Sequence, residues 1–183
     1  MSAEFLPMQL SMMISASRAG QMPESDVPDG YELRGYLPGD EDSWVELFNT
    51  GGFGSAWDRA RFDEYMTAPE RKEGSVIATK GDRIVAATFA SVEVGAHCTG
   101  RVDFVVSHPD VRGLGLGRAV CSGVVRYLVG RGYANVILYT DDWRLPAIGL
   151  YLSMGFEPQM TRTDMPGRWR RVIEQLEGSG WRS

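Results

Sequence analysis

The sequence predicts a mixed α/β fold, and three observations carry that prediction. Two β-rich runs flank a "KGD" turn in "SVIATKGDRIVAATFASVEV". The strand-like "RVDFVVS" feeds a glycine turn, a helical run and then "ANVILYT", which is a β-loop-α-β order. Ahead of both, an alternating "YELRGYL" is followed by helical spacing. The 183 residues suffice for one well-buried core, and an apolar share of 43% is that of a globular chain.

Charge and cysteine content narrow the function. A net charge of -5 argues against nucleic acid and anionic membranes, which need a basic field, and favours a cationic or neutral substrate. Cys98 and Cys121 are too few for a disulfide framework or a metal cluster. Each is read as a small packed hydrophobe, and a reducing cytoplasm fits them. No apolar run approaches the roughly 20 residues of a membrane-spanning helix, so a soluble protein without a metal is expected.

Residues 1–30, "MSAEFLPMQLSMMISASRAGQMPESDVPDG", are Met-rich, and their short apolar patch is interrupted by Pro7 and Gln9. They lack the basic start and clean apolar stretch of a secretory signal. They are set apart as an N-terminal arm whose order the sequence leaves open: a loose arm, a docked helix, or a start placed too early, with Met12, Met13 or Met22 as the alternatives. From Tyr31 the pattern is regular. "PGDEDSWVELFNTGG" begins with acidic capping residues, puts Trp44, Leu47 and Phe48 on one helical face and stops at Gly51 and Gly52. A second helical segment, about Asp58 to Met66, carries Phe62, Tyr65 and Met66 and is closed by Pro69. Gly81 supplies the positive φ of the "KGD" hairpin. After the loop "GAHCTG", the strand "RVDFVVS" ends at His108-Pro109.

"RGLGLG" then opens a helix from about Arg118 to Val129, with Val120, Val124 and Leu128 on one face and a "GRG" stop. "ANVILYT" is apolar on both faces and reads as a central strand. Glycines at a strand-to-helix turn let backbone N–H groups converge on an anion, and the helix start adds partial positive charge. A diphosphate suits such a turn; a close-packed turn without ligand is the alternative. A Walker A loop fails, because Arg118 and Ala119 follow Gly117 where Lys and Ser or Thr are required. A dinucleotide fingerprint also fails: its third glycine is replaced by Arg118 or Val120, depending on the frame. Asp141 and Asp142, after the next strand, keep a nicotinamide cofactor as a minority reading.

"VVSHPDVRGLGLGRAV", followed about thirty residues later by "LPAIGLYLSMGFEP", resembles the GNAT superfamily of N-acetyltransferases. Arg112, Gly115 and Gly117 match its Arg-x-x-Gly-x-Gly element, and Leu150, Tyr151, Gly155 and Phe156 match its later Leu-Tyr-x-x-x-Gly-Phe. The resemblance covers roughly Tyr31 to Thr163. It implies a twisted, mostly antiparallel sheet flanked by helices, with splayed central strands forming an acyl-coenzyme A cleft. The domain is placed at 31–165 and a helical C-terminal extension at 166–183. The reaction implied is transfer of acetyl from acetyl-coenzyme A to a primary amine of a small molecule or peptide, by direct attack in a ternary complex. A non-catalytic acyl-coenzyme A-binding or interaction domain is the competing reading, and a homodimer stays open.

Position by position, the resemblance implies that the backbone of Arg112, Gly113, Leu114, Gly115, Leu116, Gly117 and Arg118 holds the pyrophosphate. Val105, Val106 and Ser107 would pair with the pantetheine arm like an added strand. A backbone N–H near Val106 would polarise the thioester carbonyl, and Tyr151 would protonate the departing thiolate. Arg144 stands where the family commonly has Asn and is assigned to cofactor phosphates or to an acidic group of the acceptor. Asp141, Asp142 and Trp143 either shape a pocket for a cationic amine or form a solvated acidic turn. Asp103 is the candidate general base: it has the parity of Val105 and Ser107 on an otherwise apolar strand. The alternative for Asp103 is an ion pair with Arg101 or Arg112. Glu93 is the reserve base, and His97 and His108 are read as loop and turn residues. Removal of residues 1–29 is expected to leave coenzyme A binding intact.

Overall fold

The computed structural model of the chain describes residues 8–51, 57–93, 95–96 and 98–181. Its strands are β1 (Leu10–Ser15), β2 (Glu32–Gly35), β3 (Val76–Lys80), β4 (Arg83–Val92), β5 (Thr99–Ser107), β6 (Asn135–Thr140) and β7 (Glu157–Pro158). Its helices are α1 (Ala16–Ala19), α2 (Glu41–Thr50), α3 (Arg59–Tyr65), α4 (Pro69–Gly74), α5 (Leu116–Gly130), α6 (Leu145–Ser153) and α7 (Met165–Gly178). The strands form one sheet in the order β2-β3-β4-β5-β6-β1-β7. Only β5 and β6 run parallel; the other pairs are antiparallel. A crossover helix, α5, joins the parallel pair, as the geometry of parallel strands requires.

Three buried clusters sit against this sheet, the smallest joining Val85 and Val111 to Leu116 and Val120 of α5. On one side α5, α6 and α7 cover β1, β5 and β6 with Val124, Leu128, Ile148 and Trp169, against Met12, Val102 and Leu138. A largely aromatic core holds α2 and α3 to β4, and its members Trp44, Phe48, Phe62 and Phe89 are fully buried. Trp44 stacks on Phe89 at 4.3 Å between centroids. The helical face read from Trp44, Leu47 and Phe48 is therefore the buried one. Asp40 stands at the N-cap of α2, but its carboxylate makes no capping bond: it accepts from Arg34 and from the Leu37 N–H, and so fixes the turn before α2.

Several expectations change. Asp58 caps α3 by accepting the Arg61 N–H, but Pro69 closes nothing; it opens the short helix α4 at a position where its missing N–H costs no bond. Cys121 is fully buried, whereas Cys98 is exposed, at a φ of 74°, and does not pack as a hydrophobe. His108 accepts the Asp110 N–H at the start of a single 3-10 turn. His97 lies outside the described residues.

The largest difference lies in the segment set apart as an arm. Leu10–Ser15 is an interior strand, paired residue by residue with β6 from Leu10–Thr140 to Ser15–Asn135, and with β7 on its other edge. Leu10, Met12 and Ile14 face the core and are 0%, 0% and 1% exposed. Fully burying such a side chain contributes about 1.5–3 kcal/mol, so these three together rival the roughly 5–15 kcal/mol net stability of a domain. A chain beginning at Gly30 is accordingly expected to lose its cooperative unfolding transition, measured by circular dichroism on heating. Native-like melting of that chain, with coenzyme A binding intact, would contradict this account of β1.

Candidate active site

The site starts from a defect in β5. Ala87 pairs with Val106 and Phe89 with Asp103, so three steps on β5 face two on β4. The extra residue is a bulge at Phe104, whose φ of 52° is rare for a side chain of that size. Phe104 is held there by edge contacts with Phe48, Trp57 and Tyr65, at 5.5, 5.5 and 5.3 Å between centroids. Beyond the bulge β5 and β6 separate: their ladder runs from Thr99–Asn135 to Val102–Leu138 and stops. A cavity of about 480 Å3 opens there.

The bulge also overturns the parity argument for Asp103. Val105 packs toward α5, and the Ser107 hydroxyl lies on that side, 3.3 Å from where a Gly117 Cβ would be. Phe104 and Val106 pack into the aromatic core instead, and Asp103 meets Tyr65, which packs against that same core. Asp103 therefore shares a side with Phe104 and Val106, because the added residue breaks the two-residue alternation. Val105 lines the cavity; the Val106 side chain is 2% exposed and faces the core.

The glycine turn follows a few residues after β5. Gly113 and Gly115 adopt φ of 83° and 81°, the left-handed region that favours glycine, and a Cβ at either would meet nothing within 4 Å. The first backbone bond of α5 is Ala119 N–H to Gly115 C=O. The N–H groups of Leu116, Gly117 and Arg118 before it are the orphan donors of a helix start, carrying its partial positive charge. Arg112 and Leu114 are exposed, and the Arg118 guanidinium donates to Ser153 Oγ of α6.

Arg144, Ala147 and Tyr151 of the α6 segment form the opposite wall of the cavity. Tyr151 is 6% exposed, and burial pushes its phenol well above the ordinary range, the Arg144 charge opposing the shift slightly. Arg144 caps α6 without a side-chain hydrogen bond to it, lies 3.4 Å from Asp141 and stacks over Trp143. It thus lines the cavity beside Tyr151.

A polar chain crosses the far end of the cleft. Tyr65 donates to Asp103 Oδ2 at 2.8 Å, and Arg101 Nη2 donates to the same oxygen at 2.9 Å. Arg101 Nε is 2.8 Å from Oδ1, but that N–H is not aligned for a hydrogen bond, so the pair is held by Nη2 and by charge. Arg101 Nη1 reaches Glu93 at 3.3 Å, and Tyr139 donates to Glu93 at 2.7 Å. The ion-pair alternative for Asp103 is thus realised, with Arg101. Glu93 is not among the cavity-lining residues and meets the cleft only through Arg101 and Tyr139. Burial, then the Asp103 charge, holds the Tyr65 phenol well above its ordinary range. No motif signalled Tyr65, Tyr139 or Gln9, all of which line the cavity. Tyr65 was legible only as a helix-face aromatic.

Asp142 is taken up elsewhere. Arg168 of α7, only 7% exposed, donates to both its oxygens, to Asp164 at 3.0 Å and to the Met8 carbonyl at 2.7 Å. The Arg168 hydrogen bonds hold the Asp142 carboxyl below its ordinary value. Asp141 does line the cavity, accepting from Gln9. Among the described residues no group of three or more His, Cys, Asp and Glu could hold a metal ion, and no helix is long and apolar enough to cross a membrane.

A mostly antiparallel sheet, bulged and parted at its parallel pair beside a strand–glycine turn–helix, defines the fold as mixed α/β with a cleft at the parallel pair. The chain belongs to the acetyltransferase (GNAT) family, whose model matches residues 41–156; that family uses acetyl-coenzyme A. A mycothiol acetyltransferase of Pseudarthrobacter chlorophenolicus is 31% identical over 177 residues, which are 91% of this chain and 53% of that relative. The chain spans about half the length of the curated relatives it matches. Among solved structures, a GCN5-related N-acetyltransferase from Sphaerobacter thermophilus has the same fold, with a TM-score of 0.69 at 20% identity, over 84% of this chain and 49% of that one. The ribosomal-protein-S18-alanine N-acetyltransferase of Escherichia coli gives 0.59 at 20% identity, over 69% and 77%.

The Arg168 clamp sets a pH dependence. A carboxylate whose folded pKa is depressed adds stability above its unfolded pKa, and that stability is lost as pH falls through the folded value. Asp142→Asn is therefore expected to lower stability near neutral pH by about 1 kcal/mol, the low end for a charge-assisted bond because Asp142 is more than a third exposed. The deficit should close below about pH 4. Thermal melts of both proteins from pH 7 to pH 2 check this, and a deficit constant across that range would exclude the clamp as its source.

Proposed function

We propose that the chain transfers acetyl from acetyl-coenzyme A to a primary amine by direct attack within a ternary complex. One observation carries the reading: the Phe104 bulge ends the β5–β6 ladder and leaves a cavity bordered by unpaired strand, by Asp103 and by Tyr151. Arg112 through Arg118 hold the pyrophosphate, chiefly through the orphan N–H groups at the start of α5. The parted backbone of Val105 to Ser107 pairs with the pantetheine amides, with a backbone N–H near Val106 on the thioester carbonyl. The sulfur then lies near Tyr151, whose buried phenol stays protonated until the tetrahedral intermediate collapses. Arg144, in the cavity wall, orients the acyl or acceptor end.

The amine must attack unprotonated, and Asp103 is the carboxylate placed to receive its proton, directly or through a water. Tyr65 and Arg101 already donate to Asp103, which fixes its orientation and leaves lone pairs for a third donor. The acceptor is a polar amine of small or peptide size: Gln9, Tyr65, Arg101 and Tyr139 offer it polar groups among the apolar Val102, Phe104 and Leu138 that also line the cavity. The name of the mycothiol acetyltransferases makes mycothiol-related amines the first compounds to try. Mass spectrometry of products from an amine panel incubated with acetyl-coenzyme A is the direct test. Coenzyme A binding without acetylation of any member would leave a binding domain instead.

Two substitutions divide the roles. Tyr151→Phe keeps the ring and removes the acid; kcat is expected to fall about 10²-fold, the lower end for general acid catalysis, since the coenzyme A thiolate is already a fair leaving group. The KM for acetyl-coenzyme A should change little, and full activity would remove the proton-donor role whatever the melting temperature did. Asp103→Asn is expected to lower kcat/KM about 10²-fold near pH 7 and to recover as pH approaches the amine's own pKa, where no base is needed. A pH-rate profile parallel to that of the unaltered protein would assign deprotonation to solvent.

A further inference from the structure

Among the described residues, six buried side-chain polar atoms have no hydrogen-bond partner: the indole N–H groups of Trp44, Trp57 and Trp169, Nε of Arg71 and of Arg101, and Thr140 Oγ1. Only Arg101 and Thr140 belong to the lining of the cleft, and Arg101 Nε lies 2.8 Å from Asp103 Oδ1. Thr140 Oγ1 has no such neighbour to offset its burial, and the residue is 3% exposed. A hydroxyl buried and unpaired is destabilising, so one that lines a cleft points to a partner arriving from outside the fold.

Strand geometry fixes which side of the cleft that hydroxyl faces. Thr140 is the last residue of β6, beyond the end of the β5–β6 ladder at Leu138, and it pairs with Leu10 on the other edge. Cross-strand partners share a face, so Thr140 follows Val136 and Leu138 onto the face covered by α5, α6 and α7. Tyr151 lies on that face, and Val105 packs toward it from β5. Tyr139 points the other way: its hydroxyl reaches Glu93, which joins Arg101 and through it Asp103. The cleft thus has two chemically distinct sides, with the carboxylate of Asp103 on one and the hydroxyls of Tyr151 and Thr140 on the other.

We propose that Thr140 is a catalytic residue whose hydroxyl donates a hydrogen bond to the coenzyme A sulfur as the thiolate departs, beside the Tyr151 phenol. The proposal rests on the acetyl-coenzyme A reading above, which brings the sulfur to Tyr151 and the amine to Asp103 on the opposite side. As the tetrahedral intermediate collapses, the C–S electron pair passes to sulfur and the Tyr151 proton follows it. Thr140 keeps its proton and lends only the hydrogen bond. Negative charge on sulfur develops in that step, so a fixed donor stabilises the transition state more than the thioester. The hydroxyl stands on β6, across the parted strands from the Val105–Ser107 backbone, and so competes with none of the groups assigned to the pyrophosphate, the pantetheine amides or the thioester carbonyl. Its unpaired state in the free chain is the counterpart of a bond made in the complex.

Thr140→Val replaces the hydroxyl by a methyl group of similar size, and Thr140→Ser keeps a hydroxyl. The readout on the full chain is ionisation of the thiol of bound coenzyme A, followed by thiolate ultraviolet absorbance against pH. The complex with desulfo-coenzyme A, which lacks the sulfur, serves as the blank. Arg101, Asp103, Asp141, Arg144 and the three tyrosines that line the cavity are the same in every variant, so the difference isolates Thr140. In Thr140→Val the bound thiol is expected to be about tenfold less ionised at a given pH, the low end for a hydrogen bond to a charged group, with Thr140→Ser recovering most of the loss. Calorimetric affinity for desulfo-coenzyme A should be unchanged, and the melting temperature equal or higher, since an unpaired buried hydroxyl is removed. Unchanged thiol ionisation overturns the proposal while the cofactor reading stands. So does weaker binding of desulfo-coenzyme A, which would give the hydroxyl to a pantetheine amide, or a lower melting temperature, which would give it a partner within the fold. If the unaltered chain binds neither ligand, the acetyl-coenzyme A reading fails and this proposal with it.

Discussion

The left-handed backbone of Phe104 is the constraint on which the site depends. A phenylalanine at positive φ inside a strand costs about 1–3 kcal/mol and persists only where its surroundings fix it. Here the surroundings are aromatic: Phe104 packs edge-on to Phe48 of α2, Tyr65 of α3, Trp57 in the segment that precedes α3 and Phe89 of β4. The stacked pair of Phe48 and Trp57, 4.6 Å apart, ties that segment to α2. The half-buried ring and its edge contacts, each contributing about 0.5–1.5 kcal/mol, are of the size needed to offset that strain. The aromatic core therefore does more than hold α2 and α3 to the sheet. It keeps a bulge where regular pairing would otherwise continue, and the cavity follows from the bulge.

Around the cavity the arginines are paired with carboxylates, whereas the turn at its edge carries the partial positive charge of a helix start. Arg101 is taken up by Asp103 and Glu93, Arg144 lies against Asp141, and Arg168 is held by Asp142 and Asp164. These pairs orient side chains and largely cancel one another's fields. The start of α5 has no such partner from its own backbone, and its charge is spread over N–H groups that cannot move away. A chain of net charge -5 thus keeps a local positive field at the turn.

What was legible in the sequence is what local backbone geometry demands. Gly113 and Gly115 were readable because positive φ selects glycine, and Gly155 and Phe156 because a helix exit beside a buried ring restricts both positions. Phe104 breaks the same rule, and so it was invisible: the local conformation calls for glycine, while the tertiary packing calls for a ring. The parity error at Asp103 followed from it, since a two-residue period holds only in an unbulged strand. In β1 the alternation of Leu10, Met12 and Ile14 was present in "LSMMIS", but Met13 on the other face blurred it. Its partners, β6 and β7, lie more than a hundred residues further on, and no local signal specifies a pairing of that range.

The position of β1 also bears on why the acceptor is the least legible part of the site. The family match spans residues 41–156 and contains the turn, the bulge, Asp103 and Tyr151. Gln9 lies outside it, yet lines the cavity and donates to Asp141; the adjacent Met8 carbonyl is gripped by Arg168, which also clamps Asp142. One wall of the cavity is therefore assembled from Gln9 just before β1 and from Tyr139, Thr140 and Asp141 at the end of β6, and Arg168 of α7 ties the neighbouring Met8 and Asp142 together behind it. The glycine turn and the α6 segment each lie within a short stretch of chain, and so they reach the sequence as glycines and a tyrosine at fixed spacing. A wall built from such scattered contacts can change one residue at a time while the turn stays as it is, and so it leaves no compact motif in the sequence.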